Sequence, residues 1–318
     1  METVKVAVIG SGYLGKFHAE KYAHHPDAEL IAVVDTNYSR AQEVAHKTNA
    51  QALTTYQELY HQVQAVSIVV PTPLHYPIAQ DFLTHGIHVL LEKPMTTSLE
   101  EAQALIALAR KKNLILQIGH LERFNPAFRA VEGIVKNPLF IESHRLNSFQ
   151  ERGTEIDVIL DIMIHDLDLI LTLVNDEIKD IHSVGIPVIS AMIDIANARL
   201  EFKNGCVVNI TASRISDKGM RKIRIFQPDA YISIDFATQE ASVYRKIEEP
   251  GKIPYIASDK LVTEPKDTLA EEINSFLTSV KHHSPPLVSG EAAARALKVA
   301  LEIVNQLRID TERIVASH

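Results

Sequence analysis

The sequence predicts an α/β protein: an N-terminal doubly wound parallel sheet, then an α+β domain built on a mostly antiparallel open sheet. Three observations carry this. Val4–Ile9 is an apolar run broken only by Lys5, and it leads into Gly10-Ser11-Gly12-Tyr13-Leu14-Gly15. Strand and helix signals alternate from there to about residue 120. Beyond that point strand-like runs are joined by hairpin punctuation instead of helices.

The apolar first run suits a parallel strand buried on both faces. In the loop after it, Gly10 permits a tight turn, Gly12 lets backbone approach a pyrophosphate, and Gly15 lets the next helix pack closely. The N-terminus of that helix offers unpaired N–H groups and a positive dipole end to phosphates. A second strand, Glu29–Val34, ends at Asp35. An acid there accepts hydrogen bonds from a ribose diol and repels a 2′-phosphate, which favours NAD over NADP. Arg40 is the counterweight, since a guanidinium nearby can hold that phosphate. This is a Rossmann dinucleotide-binding unit.

A helix over Tyr38–Lys47 follows, then a poorly patterned stretch at Gln51–Gln64. Ala65–Val70 reads as a buried strand ending at Pro71-Thr72-Pro73, and a helix from Tyr76 stops at Gly86, a C′ glycine. The strand His88–Leu91 runs into Glu92-Lys93-Pro94. Ser98 and Glu101 form a capping box for a helix reaching Asn113, and Leu114–Ile118 is the next strand. Ligands gather at the carboxyl ends of such strands. The expected dinucleotide contacts are Gly10, Ser11, Gly12, Tyr13, Leu14 and Gly15 in the loop, and Asp35, Thr36 and Arg40 after the second strand. Pro71, Thr72 and His75, then Glu92 and Lys93, complete that set.

The pattern changes near residue 120, dividing the chain into 1–120 and 121–318, with the last helices able to pack back on the first domain. A helix at Pro126–Val135 and an apolar helix over 157–174 precede the strands. Asn204-Gly205 between Ala196–Phe202 and Val207–Ser213 predicts a type I′ hairpin. Ile223–Phe226 and Tyr231–Phe236 flank Gln227-Pro228-Asp229, Ala241–Ile247 follows, and helices at Asp267–His282 and Glu291–Leu307 finish the chain.

Composition narrows the classes. At 318 residues the chain exceeds one ordinary core, and its 46% hydrophobic content is that of a globular protein. A net charge of −8 without a basic patch argues against nucleic acid as a partner. The single cysteine, Cys206, excludes an internal disulfide and fits a reducing, cytoplasmic compartment. The chain enters its first strand at once, leaving no room for a signal peptide. Ile156–Val174 is apolar enough to suggest a membrane span, but it carries Asp157, Asp161, His165, Asp166 and Asp168. One charge at mid-bilayer costs roughly 3 kcal/mol, so this is a buried helix of a soluble protein. No Cys/His spacing resembles a zinc site, and no metal is expected.

The polar residues of that helix need a reason. Asp157, Asp161, His165, Asp168 and Thr172 recur at helical spacing on one face, and unpaired burial of such groups costs a few kcal/mol each. His165 suits general acid/base work, and Asp161 one turn earlier can fix its tautomer. A purely structural polar network is the alternative, and Asp166, off the stripe, reads as a helix–helix contact. Lys93, at the carboxyl end of a parallel strand, can hydrogen-bond a substrate hydroxyl and stabilise a developing alkoxide. The alternative is a surface lysine in a turn before proline.

Together the glycine loop followed by His18, Asp35, the Pro71–His75 segment, Glu92-Lys93-Pro94 and Asp161-x-x-x-His165 resemble the GFO/IDH/MocA oxidoreductases. The likeness spans essentially the whole chain, through Pro286–Gly290. It implies that Lys93, Asp161 and His165 line the catalytic site; Met163 stands where that family often has glycine. A narrower set is similar to the UDP-N-acetylglucosamine 3-dehydrogenase branch: residues 119–127 with Arg145, Arg152, Asp157-Val158 and His165–Asp168. That likeness implies NAD-dependent oxidation of a sugar 3-hydroxyl to a ketone, on the way to a diamino-sugar lipid A, by a homo-oligomer (dimer or tetramer).

Under that reading His165 takes the hydroxyl proton, Lys93 holds the oxygen and Asp161 orients His165. Arg123, Arg145, Arg152 and Arg214 would anchor the UDP diphosphate, which guanidinium binds bidentately; each otherwise reads as a surface ion pair. Asn125, Asp157 and His165 complete the expected substrate set. A dehydrogenase of a free sugar or polyol, or a non-catalytic NAD(P)-binding sensor of the same fold, remain as alternatives.

Overall fold

The computed structural model describes residues 3–149, 155–248, 250 and 253–316, with side chains as far as Arg308. The chain divides into two compact units: Met1–Leu121 with Asp267–Ala294, and Glu122–Lys266 with Arg295–His318.

In the first unit, elements follow in the order β1 (Val4–Ile9), α1 (Tyr13–His24), β2 (Ala28–Val34), α2 (Tyr38–Thr48), β3 (Gln51–Leu53) and β4 (Ala65–Ile68). Next come α3 (His75–Thr84), β5 (His88–Glu92), α4 (Leu99–Lys112) and β6 (Leu116–Gly119). The sheet order is β3-β2-β1-β4-β5-β6, and every pairing is parallel. That order is the doubly wound arrangement whose reversal beside β1 opens a ligand crevice. β3 was not legible in the unpatterned stretch. It is a three-residue edge strand on β2, and Leu53 O accepts the amide of Asp35, fixing where β2 ends. Ser98 caps α4 through Glu101 N, but the Glu101 carboxylate bonds Thr97 N and Oγ1, so the capping box closes one residue early.

The second unit holds α5 (Pro126–Glu132), β7 (Phe140–Leu146), α6 (Ile164–Val174) and β8 (Ile178–Ile186). Then β9 (Ile195–Phe202), β10 (Val207–Ser213), β11 (Met220–Gln227), β12 (Ala230–Asp235), β13 (Glu240–Ile247) and β14 (Tyr255–Leu261) follow. The sheet order is β14-β13-β12-β11-β7-β10-β9-β8, with β7 parallel to β10 and all other pairs antiparallel. β7, at the centre, escaped the sequence reading because two of its inward positions are polar: Ser143 and Arg145 are buried beside Ile141. The hairpin after β9 differs from the expected type I′ turn. Gly205 has φ +89 but Asn204 has no positive φ, so the loop ends in a left-handed glycine instead of holding two such residues.

Two helices close the chain. α7 (Thr268–His282) belongs to the first unit and packs on α1 and β1, burying Ile273 and Phe276 with Val6, Val8, Ala19 and Tyr22. α8 (Gly290–Ala316) follows. Among the described residues, no helix is long and apolar enough to cross a membrane.

Candidate active site

In the first unit the glycine loop is forced by space. Gly10 has φ +98, and a Cβ there would meet Val69 O at 2.3 Å; one on Gly15 would meet Gly10 O at 1.9 Å. A Cβ on Gly12 would meet nothing within 4 Å, so the backbone before α1 faces open space. Gly12 caps α1 without a side-chain hydrogen bond, leaving its first amides to a ligand.

Ser11 N and Oγ both donate to Asp35 Oδ2 at 2.9 Å, and Asn37 N donates to Oδ1 at 2.9 Å. Burial pushes the Asp35 carboxyl up, but the Asn37 and Ser11 amides, the Ser11 hydroxyl and the Arg40 charge outweigh it. Asp35 therefore stays ionised and braces the loop across two strand ends. A cavity of about 470 Å³ opens beside it, lined by Ser11, Gly12, Tyr13, Lys16 and Arg40 among others. Tyr13, Thr36 and Arg40 are exposed, whereas Leu14 packs on the core.

Farther along the sheet, three expected cofactor residues divide. Pro71 is exposed and Thr72 half-exposed on a short turn after β4. His75, by contrast, is buried, its ring nitrogens 2.9 Å from Pro94 O and 2.8 Å from Val70 O. It ties the end of β4 to the turn after β5, and burial holds its imidazole below the usual range against those carbonyls. Glu92 is also turned inward: Oε1 lies 3.3 Å from His18 Nε2 and Oε2 accepts the Lys93 amide at 3.2 Å. Both side chains, expected against the cofactor, are thus engaged with groups of the chain itself. Lys93 is half-buried at the end of β5, before a cis peptide to Pro94.

In the second unit the 157–174 segment is not one regular helix. It opens with a π-helical turn at Ile159–Met163 before α6 begins. The wider turn breaks the regular stripe. Asp157 and Asp168 are buried, while Asp161, His165 and Thr172 are half-exposed. Two buried ionic knots pin this segment on either side of Asp161 and His165.

The first knot takes up three residues expected against the substrate. Arg145 donates from Nε to Asp166 Oδ1 at 2.8 Å and from Nη1 to Glu122 Oε1 at 2.7 Å, and is 5% exposed. Ser143 Oγ donates to Asp166 Oδ2 at 2.7 Å, so Asp166 ties α6 to the sheet and not to another helix. Burial disfavours the Arg145 charge, but the two carboxylates more than restore it. Arg123 bonds Thr172 Oγ1 and lies 3.9 Å from Asp168 Oδ2. Asn125 caps α5 through Ala127 N at 3.1 Å and donates to Glu122 and Phe236 O. Arg123 and Arg145, expected as diphosphate anchors, and Asn125, expected against the substrate, are thus buried and engaged with the chain's own groups.

The second knot takes up two more. Arg214 donates to the carbonyls of Ile156 and Ile193 and lies 3.6 Å from Asp194. Asp157 accepts Ile193 N at 3.0 Å and pairs with Arg308 at 3.6 Å. Asp194 accepts three amides and the Ser190 hydroxyl, which against burial hold its carboxyl at about 2. Arg152 lies outside the described residues. Sequence reasoning missed Glu122, Ser143 and Asp194 because nothing local marks a residue whose partner lies on another element.

The first unit and the next part of the chain each match a family profile: "Oxidoreductase family, NAD-binding Rossmann fold" over residues 4–120, and "GFO/IDH/MocA C-terminal domain" over residues 128–233. The chain is 39% identical over 303 residues to the UDP-N-acetylglucosamine 3-dehydrogenase of Acidithiobacillus ferrooxidans, covering 94% of this chain and 96% of the other. A solved structure of that organism's enzyme superposes with a TM-score of 0.92 at 38% identity, covering 96% and 98% of the two chains. The myo-inositol 2-dehydrogenase of Thermotoga maritima is 27% identical over 92% of this chain and 93% of its own. With a dinucleotide crevice at the switch of a 3-2-1-4-5-6 sheet and these matches along both units, the chain belongs to the GFO/IDH/MocA family of NAD(P)-binding oxidoreductases.

Proposed function

We propose that this chain is an NAD-dependent dehydrogenase that oxidises the 3-hydroxyl of UDP-N-acetylglucosamine to a ketone. The observation that carries the reading is the likeness to the Acidithiobacillus enzyme, which runs end to end through both chains and both units.

The residues present fit a nicotinamide dinucleotide. Gly10 and Gly15 admit no side chain, the backbone at Gly12 is open to a diphosphate, and an ionised Asp35 waits for a ribose diol. The same carboxylate repels a 2′-phosphate, which supports NAD over NADP. When bound, the cofactor supplies the acceptor for the hydride. The chain's own groups handle the proton and the charge. The His165 imidazole takes the proton of the hydroxyl under oxidation. The Lys93 ammonium donates a hydrogen bond to that oxygen and stabilises the alkoxide as it forms. Asp161 orients the His165 ring. Both Asp161 and His165 sit on a segment pinned by the buried pairs at Asp157, Asp166 and Asp168, so their positions cost little to maintain during reaction.

Homo-oligomerisation is supported by a stacked row on the second sheet. Phe140, Phe226, Tyr231 and Tyr244 lie across four neighbouring strands at centroid spacings of 5.6, 4.9 and 5.0 Å, all partly exposed. A cytoplasmic setting follows from nucleotide-sugar and nicotinamide substrates.

One observation favours a second reading. With Arg123, Arg145 and Arg214 engaged internally, three of the four expected diphosphate anchors are held by the chain itself, and an inositol dehydrogenase is among the relatives. The test is NADH formation from UDP-N-acetylglucosamine, free N-acetylglucosamine and myo-inositol under matched NAD. The nucleotide sugar should turn over with the highest kcat/KM; comparable turnover of either free compound overturns the nucleotide-sugar reading and leaves a dehydrogenase.

A further inference from the structure

Behind the Glu92-Lys93-Pro94 turn, inside the first unit, three ionisable side chains converge from distant parts of the chain. His18 comes from α1, Glu92 from β5 and Glu272 from α7, and their ligand atoms all lie within 4.8 Å of one another. His18 and Glu272 are wholly buried. Among the described residues neither carboxylate oxygen of Glu272 has a hydrogen-bond donor.

In so desolvated a site an ionised carboxylate without a donor or counter-charge is strongly disfavoured, the more so beside a second carboxylate. Glu92 has compensation from the Lys93 amide, and His18 Nε2 lies 3.3 Å from its Oε1. Glu272 has none, and burial followed by the Glu92 charge holds its carboxyl well above the usual range. The proton therefore rests on Glu272. The other groups facing the cluster do not offset this. Tyr22 on α1 is kept protonated by burial and bonded to Ser67 on β4. His75 on α3 feels the Glu92 charge but is held by two carbonyls. On β6, Gln117 Nε2 donates to the backbone oxygen of Glu272, not its carboxyl. Gly119 leaves the space Glu92 occupies, since a Cβ there would lie 2.8 Å from Glu92 Oε1.

We propose that Glu272 is a positioning residue: as the neutral acid of a closed His18–Glu92–Glu272 cluster, it fixes the carboxylate that accepts the Lys93 amide and so the end of β5 that carries Lys93. This rests on the reading of Lys93 as the group that stabilises the alkoxide. α7 thereby acts on the site from a segment separated from β5 by the whole second-unit insertion.

The test uses the full chain with Glu272→Gln and Glu272→Val. The first readout is Tm between pH 5 and 9, which needs no activity. A folded carboxyl with a raised pKa contributes stability below its unfolded pKa and loses it as pH rises towards the folded one. Glutamine carries no such proton, so the Tm of Glu272→Gln minus that of the wild type should climb with pH, by about 2–5 °C per unit. A difference that stays flat overturns the proposal, whether or not Glu272→Val folds. So does a zinc-induced rise in wild-type Tm, reversed by EDTA and absent in Glu272→Gln, because the cluster would then be a cation site.

The second readout is kinetic. Glu272→Val should lose about 10- to 100-fold in kcat with an unchanged Kd for NAD, and Glu272→Gln should recover most of it. Wild-type kcat in a folded Glu272→Val overturns the positioning role. If Lys93→Ala keeps its turnover, the catalytic reading of Lys93 fails, and the Tm profile still reports separately on the cluster.

Discussion

Arg145→Ala separates a framework arginine from a substrate anchor. In the structure its guanidinium is 5% exposed and holds two carboxylates, Asp166 at 2.7 Å and Glu122 at 2.7 Å, with Phe236 beneath it at 5.6 Å. Removing it strands two buried anions, and breaking a buried pair in this way costs about 3–5 kcal/mol. For a unit of this size that corresponds to a fall in Tm of roughly 6–20 °C. An internal control is Arg110→Ala. Arg110 pairs with Glu291 at 3.0 Å, but the two side chains are 76% and 52% exposed, and such surface pairs contribute about 0–1 kcal/mol. The assay is urea unfolding followed by far-UV circular dichroism, with KM for UDP-N-acetylglucosamine measured on each folded variant. If Arg145→Ala is as stable as Arg110→Ala and differs from wild type only in a raised KM, the framework assignment is refuted and the diphosphate role returns.

Three further outcomes follow from the same geometry. Lys93→Ala and His165→Ala should bind NAD normally and lose about 10²–10⁴-fold in kcat; near-native kcat in His165→Ala across pH would place the base elsewhere. Wild-type kcat/KM should be higher with NAD than with NADP, and Asp35→Ala should shrink that difference, with Arg40 left to hold a 2′-phosphate; equal efficiency in the wild type refutes the assignment. Asp194 has a folded pKa of about 2, below its unfolded value, so its stabilisation is present above about pH 4 and is lost as pH falls through 2. Asp194→Asn should therefore unfold more readily at neutral pH, by a margin that closes in acid; a margin independent of pH contradicts this.

Much of the first unit was legible because its constraints are local. Gly10 and Gly15 are dictated by atoms within the same turn or the next strand, and Asp35 acts on Ser11 and Asn37 beside it. The apolar strands needed only their own run of residues to declare burial. The Asp161 and His165 spacing was also visible, although the π-helical turn that displaces Asp157 from the stripe was not; its residues Ile159–Met163 pack on β10, a strand distant in sequence.

The charged residues show where such reading stops. Sequence alone determined that the chain begins with a dinucleotide crevice and which residue types stand at its strand ends. It could not determine what each arginine and histidine holds. A guanidinium binds a carboxylate and a diphosphate with the same fork of donors, and only the pairing of β7 with β10 and β11 brings Arg145 beneath Asp166. His75 and Glu92 sit in segments expected to meet a cofactor, yet the fold turns both inward, to Val70 and Pro94 and to His18. Local spacing sets which way a backbone runs and which groups it carries, because those forces act within a few residues. Which buried charge meets which partner is set by long-range packing, where desolvation forces each ionised group to find a counter-charge, a hydrogen bond or a proton.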